Sequence, residues 1–175
     1  MLIIKSLLIL FLASSSGGSM PVNDEMKRFY PGYDEIIIMS FNDIVESGFS
    51  YTKKMSYFAV ADHDDASREI NFRLEIGHSR TNKQGIYIID SRVCIKENRD
   101  YREVIIKIGN QNIRFLQNCR ENLTEFTPAT SRGEEFFVEH LKSNKLTGFF
   151  IYDFFVIFKT DGFEEAWESF GGDAI

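Results

Sequence analysis

The chain has only two cysteines, Cys94 and Cys119, and they bracket a turn. Between them Ile108-Gly109-Asn110-Gln111 separates two runs of strand character. Gly109 and Asn110 both tolerate positive φ, so the stretch reads as a hairpin. A bridge between cysteines 25 positions apart stabilises a fold by roughly 3 kcal/mol, chiefly by restricting the unfolded chain. Such a bridge persists in an oxidising compartment, and the rest of the sequence agrees with one.

Met1 to Lys5 is a short basic lead, Ser6 to Ala13 is apolar, and Ser14 to Ser19 are all small residues. Residues 1–18 therefore read as a secretory signal peptide cut after Ser16 or Gly18, leaving one domain over residues 19–175. The apolar run falls well short of the roughly 20 residues of a membrane span. Phe149 to Phe158 is more apolar still, but it is short and carries Asp153. The mature chain is expected to be secreted, extracellular and not inserted in a membrane. Asn122-Leu123-Thr124 is a glycosylation sequon, which places Asn122 at the surface if it is used. The formal net charge of −6, without a cluster of Lys or Arg, excludes nucleic acid, whose phosphates need a basic footprint. It excludes anionic lipid surfaces for the same reason.

The clearest strand is Glu69 to Ile76. Ile70, Phe72, Leu74 and Ile76 alternate with Glu69, Asn71, Arg73 and Glu75, which implies one face in the core and one in water. Further strands are expected at Glu35–Phe41, Ser56–Ala61, Gly85–Ile95, Glu103–Ile108 and Ile113–Cys119. Residues 20–34, with Pro21, Pro31 and Gly32, read as a lead-in arm. Leu123–Arg132 reads as a loop, and Glu134–Lys142 fits either a helical face or a strand. Thr147–Lys159 reads as one long strand buried on both faces. Phe163, Ala166, Trp167 and Phe170 fall at i, i+3, i+4 and i+7, one face of a short C-terminal helix. Asp161 is its expected N-cap, with Glu164 at capping-box spacing and Gly171-Gly172 at its end. Together these elements predict an all-β fold, an antiparallel sandwich of jelly-roll type or a barrel, with that helix docked on it. The helical crossovers of a parallel α/β sheet are not found between Glu35 and Cys119.

Chemistry is sparse. Asp62-His63-Asp64-Asp65 gathers three carboxylates and an imidazole, but it lacks the glycine and distal glutamate of a calcium loop, and a solvated turn accounts for it. His63 with its carboxylate neighbours is the only motive for an enzyme reading. His78 follows Gly77 and precedes Ser79 without the Gly-x-Ser-x-Gly elbow of a hydrolase. No metal or cofactor is implied. The 17 phenylalanines and seven tyrosines either fill the core or line an apolar cavity.

One segment resembles a known family. Phe58-Ala59-Val60-Ala61 with Asp64-Asp65-Ala66, then Phe72-Arg73-Leu74-Glu75-Ile76-Gly77, Thr81-Asn82 and Ile86, is similar to the opening of the farnesoic acid O-methyltransferase-like domain of animal proteins. Glu103 to Ile113 resembles its next hairpin. The resemblance implies a β-sandwich module. No stretch resembles a methyl-donor site, so it does not carry an activity. The expected function is a non-enzymatic module that recognises an extracellular protein or glycan through loops at one end, with Asp62, His63, Asp64, Asp65, His78 and Arg80 as the binding residues. The alternative is a lipocalin-like carrier of a small apolar ligand, although the Gly-x-Trp such carriers show near their first strand is absent.

Overall fold

A computed structural model describes residues 18–46, 54–61, 64, 70–79, 81–94, 102–120 and 122–170. Of the expected leader only Gly18 is described, and most of Asp62 to Asp65 lies outside these residues. The architecture is all-β, and the described residues form one large antiparallel sheet, a two-stranded sheet, three short α-helices and a single 3-10 turn at Met26–Arg28. The strands are β1 (Gly18–Pro21), β2 (Glu35–Met39), β3 (Lys54–Ala61), β4 (Ile70–His78), β5 (Gln84–Val93), β6 (Arg102–Ile108), β7 (Gln111–Arg120), β8 (Leu123–Pro128), β9 (Leu146–Ile151) and β10 (Phe154–Lys159). The helices are α1 (Phe41–Glu46), α2 (Ser131–Ser143) and α3 (Phe163–Ser169).

The large sheet has the order β1-β2-β3-β4-β5-β8-β7-β6, and β9 pairs with β10 alone. Both flanks of the large sheet reach the small one: β10 packs against β2 and β3, and β9 against β6. The result is sandwich-like, with α2 against β5 and β8. Period-two alternation sets the core face. Ile36, Ile38, Phe58, Val60, Phe72, Leu74, Ile76, Ile86 and Ile88 are all buried beneath the sheet. Opposite them the small sheet contributes Phe149, Ile151, Val156 and Phe158.

The aromatic surplus is core. Ring contacts run Tyr30–Phe58, Phe58–Phe158, Phe158–Phe149, Phe149–Phe137 and Phe137–Phe115, all at centroid separations of 5.7–6.3 Å. The rings pack edge to face or tilted, as their quadrupoles favour, and fill the space between the layers. The lead-in arm is fixed to this core. β1 pairs with β2, and the Tyr30 hydroxyl donates to the Phe155 carbonyl at 2.7 Å.

Four local readings change. Leu123 to Pro128 is not loop but strand β8, paired to β5 on one side and β7 on the other. Thr147 to Lys159 is not one strand but the hairpin β9–β10, turning at Tyr152-Asp153 with Tyr152 in the left-handed region at φ 53. Phe41 leaves β2 and starts α1, where Ser40 and Asp43 form a reciprocal capping box: Ser40 N donates to Asp43 Oδ2 and Asp43 N to Ser40 Oγ. Asp161 does not cap α3. Gly162 occupies the N-cap position at φ 78 and no side chain caps it. The ambiguous Glu134–Lys142 stretch lies within α2, whose N-cap Thr130 accepts from Gly133 N.

Cys94 and Cys119 form the expected disulfide, with Cα atoms 5.9 Å apart. Cys94 follows β5, Cys119 lies on β7, and Cys94 N donates to the Asn122 carbonyl in the β7–β8 turn. The bridge therefore ties three strands at one end of the sheet. Replacing both cysteines by serine is expected to lower the unfolding free energy by roughly 3 kcal/mol in urea denaturation. An unchanged midpoint would show that the strand pairing holds this end without it.

Candidate functional site

The second face of the large sheet is not simply a wet surface. Glu75 is only 5% exposed, Tyr87 8% and Glu125 8%, although all three point away from the aromatic core. Cross-strand register brings them together: Glu75 lies opposite Tyr87, Ile89 opposite Glu125, Glu125 opposite Asn118 and Thr127 opposite Leu116. For Glu75 the expectation of a side chain standing in water is corrected, while Glu69 lies outside the described residues. The neighbours of Glu75 across this face withdraw it from solvent, and Arg73 Nε lies 3.4 Å from Glu75 Oε1.

A groove of about 620 Å³ runs over this face. His78, Ser79 and Thr81 line it at the β4–β5 end, Arg120 and Cys119 at the disulfide end, and Tyr87, Asn118, Glu125 and Thr127 between them. The Tyr87 ring rests over two glycines. A Cβ on Gly77 would meet it at 3.4 Å, and one on Gly85 would meet its hydroxyl at 3.3 Å. These residues leave room for the ring to bed down on the sheet. Burial raises the Tyr87 phenol above its ordinary pKa, and the nearby Glu125 carboxylate adds to the shift. Arg120 Nη1 donates to Glu125 Oε2 at 3.4 Å, so guanidinium and carboxylate balance each other inside the groove. Donors and acceptors of both kinds therefore surround an aromatic ring, with little net charge.

A second polar cluster lies on the core side. Asp90 is buried and takes two bonds from the Arg92 guanidinium, Nε at 2.9 Å and Nη2 at 2.7 Å, and a third from the Arg92 backbone N–H at 3.0 Å. The Arg92 guanidinium also lies 5.4–5.8 Å from the rings of Phe72, Phe154 and Tyr152. These contacts hold the cation between the Asp90 carboxylate and the three rings and clamp the strained Tyr152 turn to β5. The cluster is structural.

Of the expected binding residues, Asp62, His63, Asp65 and Arg80 lie outside the described residues. Asp64 is exposed, and His78 lines the groove, its ring tilted against that of Phe170 at a centroid distance of 4.9 Å. The β3–β4 and β4–β5 connections leave opposite ends of the nine-residue β4, about 25–30 Å apart at strand rise. Tyr87, Asn118, Arg120 and Glu125 were not singled out by sequence, because only pairing register places them together. Asn122, the sequon residue, is exposed in the turn beside Arg120. No group of three or more His, Cys, Asp or Glu among the described residues is arranged to hold a metal, and no described helix is long and apolar enough to cross a membrane. Comparison with protein-family models, curated proteins and solved structures finds no match to the chain.

Two outcomes test these assignments. Arg92→Ala leaves the Asp90 carboxylate buried without its cation and should lower stability by about 2–3 kcal/mol, less than for a fully buried pair because Arg92 reaches solvent. Arg92→Lys should recover little, since an ammonium cannot reproduce the bidentate geometry. Urea denaturation of both variants measures this, and a wild-type midpoint for Arg92→Ala would contradict the clamp. The second concerns His140 on α2, whose Nε2 lies 3.0 Å from Thr147 Oγ1 and whose ring stacks on Phe136. Burial holds its pKa below the ordinary value. The unfolded chain then takes up the proton first as pH falls. Stability should be full above about pH 6.5 and drop as pH moves down toward the folded value. Urea midpoints across that window should slope less in His140→Gln than in the wild type.

Proposed function

We propose that the chain is a non-enzymatic recognition module of the extracellular space, and that the groove on its second sheet face takes a neutral, hydroxyl-rich ligand, a carbohydrate. The observation that carries this reading is the lining of the groove: the Tyr87 ring bedded on Gly77 and Gly85, flanked by Asn118, Thr127 and the Arg120–Glu125 pair. A sugar's hydroxyls both donate and accept, which matches side chains of both polarities along the groove.

Competing ligands fit less well. An anionic ligand would compete with Glu125 for Arg120. A nucleic acid meets an acidic chain with no basic stripe. A carrier of apolar ligands needs an apolar interior space, whereas the phenylalanines here pack on one another. A cleft of this size is within the range of small-ligand sites, and it is concave where protein partners favour broader, flatter contact.

The test is a glycan array followed by calorimetric titration of whatever neutral oligosaccharide binds. Asn118→Ala and Glu125→Gln should each weaken that binding about tenfold or more, because each leaves ligand hydroxyls unpaired in a partly dry site. Circular dichroism should show the fold retained. Binding that survives both substitutions, or no binding to any neutral glycan, would contradict the proposal.

A further inference from the structure

The large sheet has two edges, and they differ. β1 is four residues long and ends in Pro21, which has no N–H to offer. β6 is seven residues long, has no proline, and pairs with β7 on one side only. The three exposed large apolar side chains among the described residues are Ile105 (69% exposed), Phe150 (50%) and Tyr152 (50%). All three line one groove of about 320 Å³ beside this edge, between β6 and β9. Among the described residues nothing pairs with the outer side of β6, and an open edge beside an apolar groove is an interaction surface.

The register of the β6–β7 hairpin says which backbone groups are free. Ile108 pairs with Gln111 across the two-residue turn Gly109-Asn110. The pair that closes such a turn exchanges both backbone hydrogen bonds, and bonding alternates from there. Arg102, Val104, Ile106 and Ile108 therefore bond β7, while Glu103, Ile105 and Lys107 direct their N–H and C=O groups to the open edge. Their side chains share one face, and all three are exposed.

We infer that β6 pairs with β6 of a second copy of this chain, antiparallel about a two-fold axis at Ile105, joining the two large sheets into one. The argument for this partner is charge complementarity. With Ile105 opposite Ile105 of the second copy, Glu103 of each chain stands opposite Lys107 of the other. Those same three residues carry the free backbone groups, so hydrogen-bonding phase and charge match in a single register. Among the described residues the ion pair Glu103 makes is a long one, with Arg114 Nη1 at 3.7 Å. The charges that would repel an arbitrary strand are complementary to their own copy, which is how edge strands choose partners. Phe150 and Tyr152 flank the junction and add apolar area to it.

The experiment is sedimentation equilibrium of the purified protein, with circular dichroism as a check of folding. The wild type should reach the mass of a dimer at micromolar concentration. Glu103→Lys and Lys107→Glu each place like charges opposite one another at both ends of the junction, and each should raise the dimer dissociation constant about tenfold or more. The double variant Glu103→Lys/Lys107→Glu restores opposite pairs and should return to near the wild-type constant. In addition, Ile105→Cys should form an intermolecular disulfide on oxidation, since residues facing each other in a hydrogen-bonded pair have Cα atoms about 5.5 Å apart. A wild type that remains a single chain at all concentrations, a dimer indifferent to the single reversals, or a double variant that stays dissociated would each overturn the inference.

Discussion

Strand β8 shares backbone hydrogen bonds with β5 on one side and β7 on the other. It is the last strand of the large sheet to be made in chain order, and it lies between two made earlier. Without it the sheet would fall into β1–β5 and the isolated β6–β7 hairpin, and isolated hairpins are marginal in water. Such non-local pairing carries a loop-closure cost, which grows slowly with the length of chain enclosed. The disulfide lies where that cost falls, tying the end of β5 to β7 beside the turn that starts β8. The staple and the inserted strand are parts of one solution.

The same insertion shapes the two faces. On the core side Phe126 of β8 joins Ile88 and Phe115 in the aromatic layer. On the other side Glu125 and Thr127 complete the groove between Tyr87 of β5 and Asn118 of β7. A central strand is buried on both faces, so its polar residues must find partners there, and Glu125 finds Arg120. The polar groove is thus the second face of the element that makes the sheet continuous.

What was legible in the sequence was whatever a single strand or helix encodes by itself. Ile70, Phe72, Leu74 and Ile76 alternate because one face of β4 is apolar, and Gly109-Asn110 marks the β6–β7 hairpin by backbone freedom. Phe163, Ala166 and Trp167 mark α3 by helical spacing. β8 was hidden because Thr124 and Glu125 look like surface residues, and their burial follows from neighbours distant in sequence. The β9–β10 turn was hidden because Tyr152-Asp153 is not a usual turn pair. Its left-handed tyrosine is held from outside, by Arg92. The groove was legible only at His78, on its rim. Its remaining residues are individually ordinary and become a site through register alone, which no local pattern records.

The central claim is that recognition occurs on the sheet face and not at the loop ends. The most direct measurement is a two-dimensional amide NMR titration of the isotope-labelled protein with a neutral oligosaccharide. The account predicts shift changes concentrated at His78–Thr81, Tyr87, Leu116–Arg120 and Glu125–Thr127, with the Ala61–Ile70 connection at the far end of β4 unmoved. Changes confined to that connection, with the groove residues silent, would contradict it.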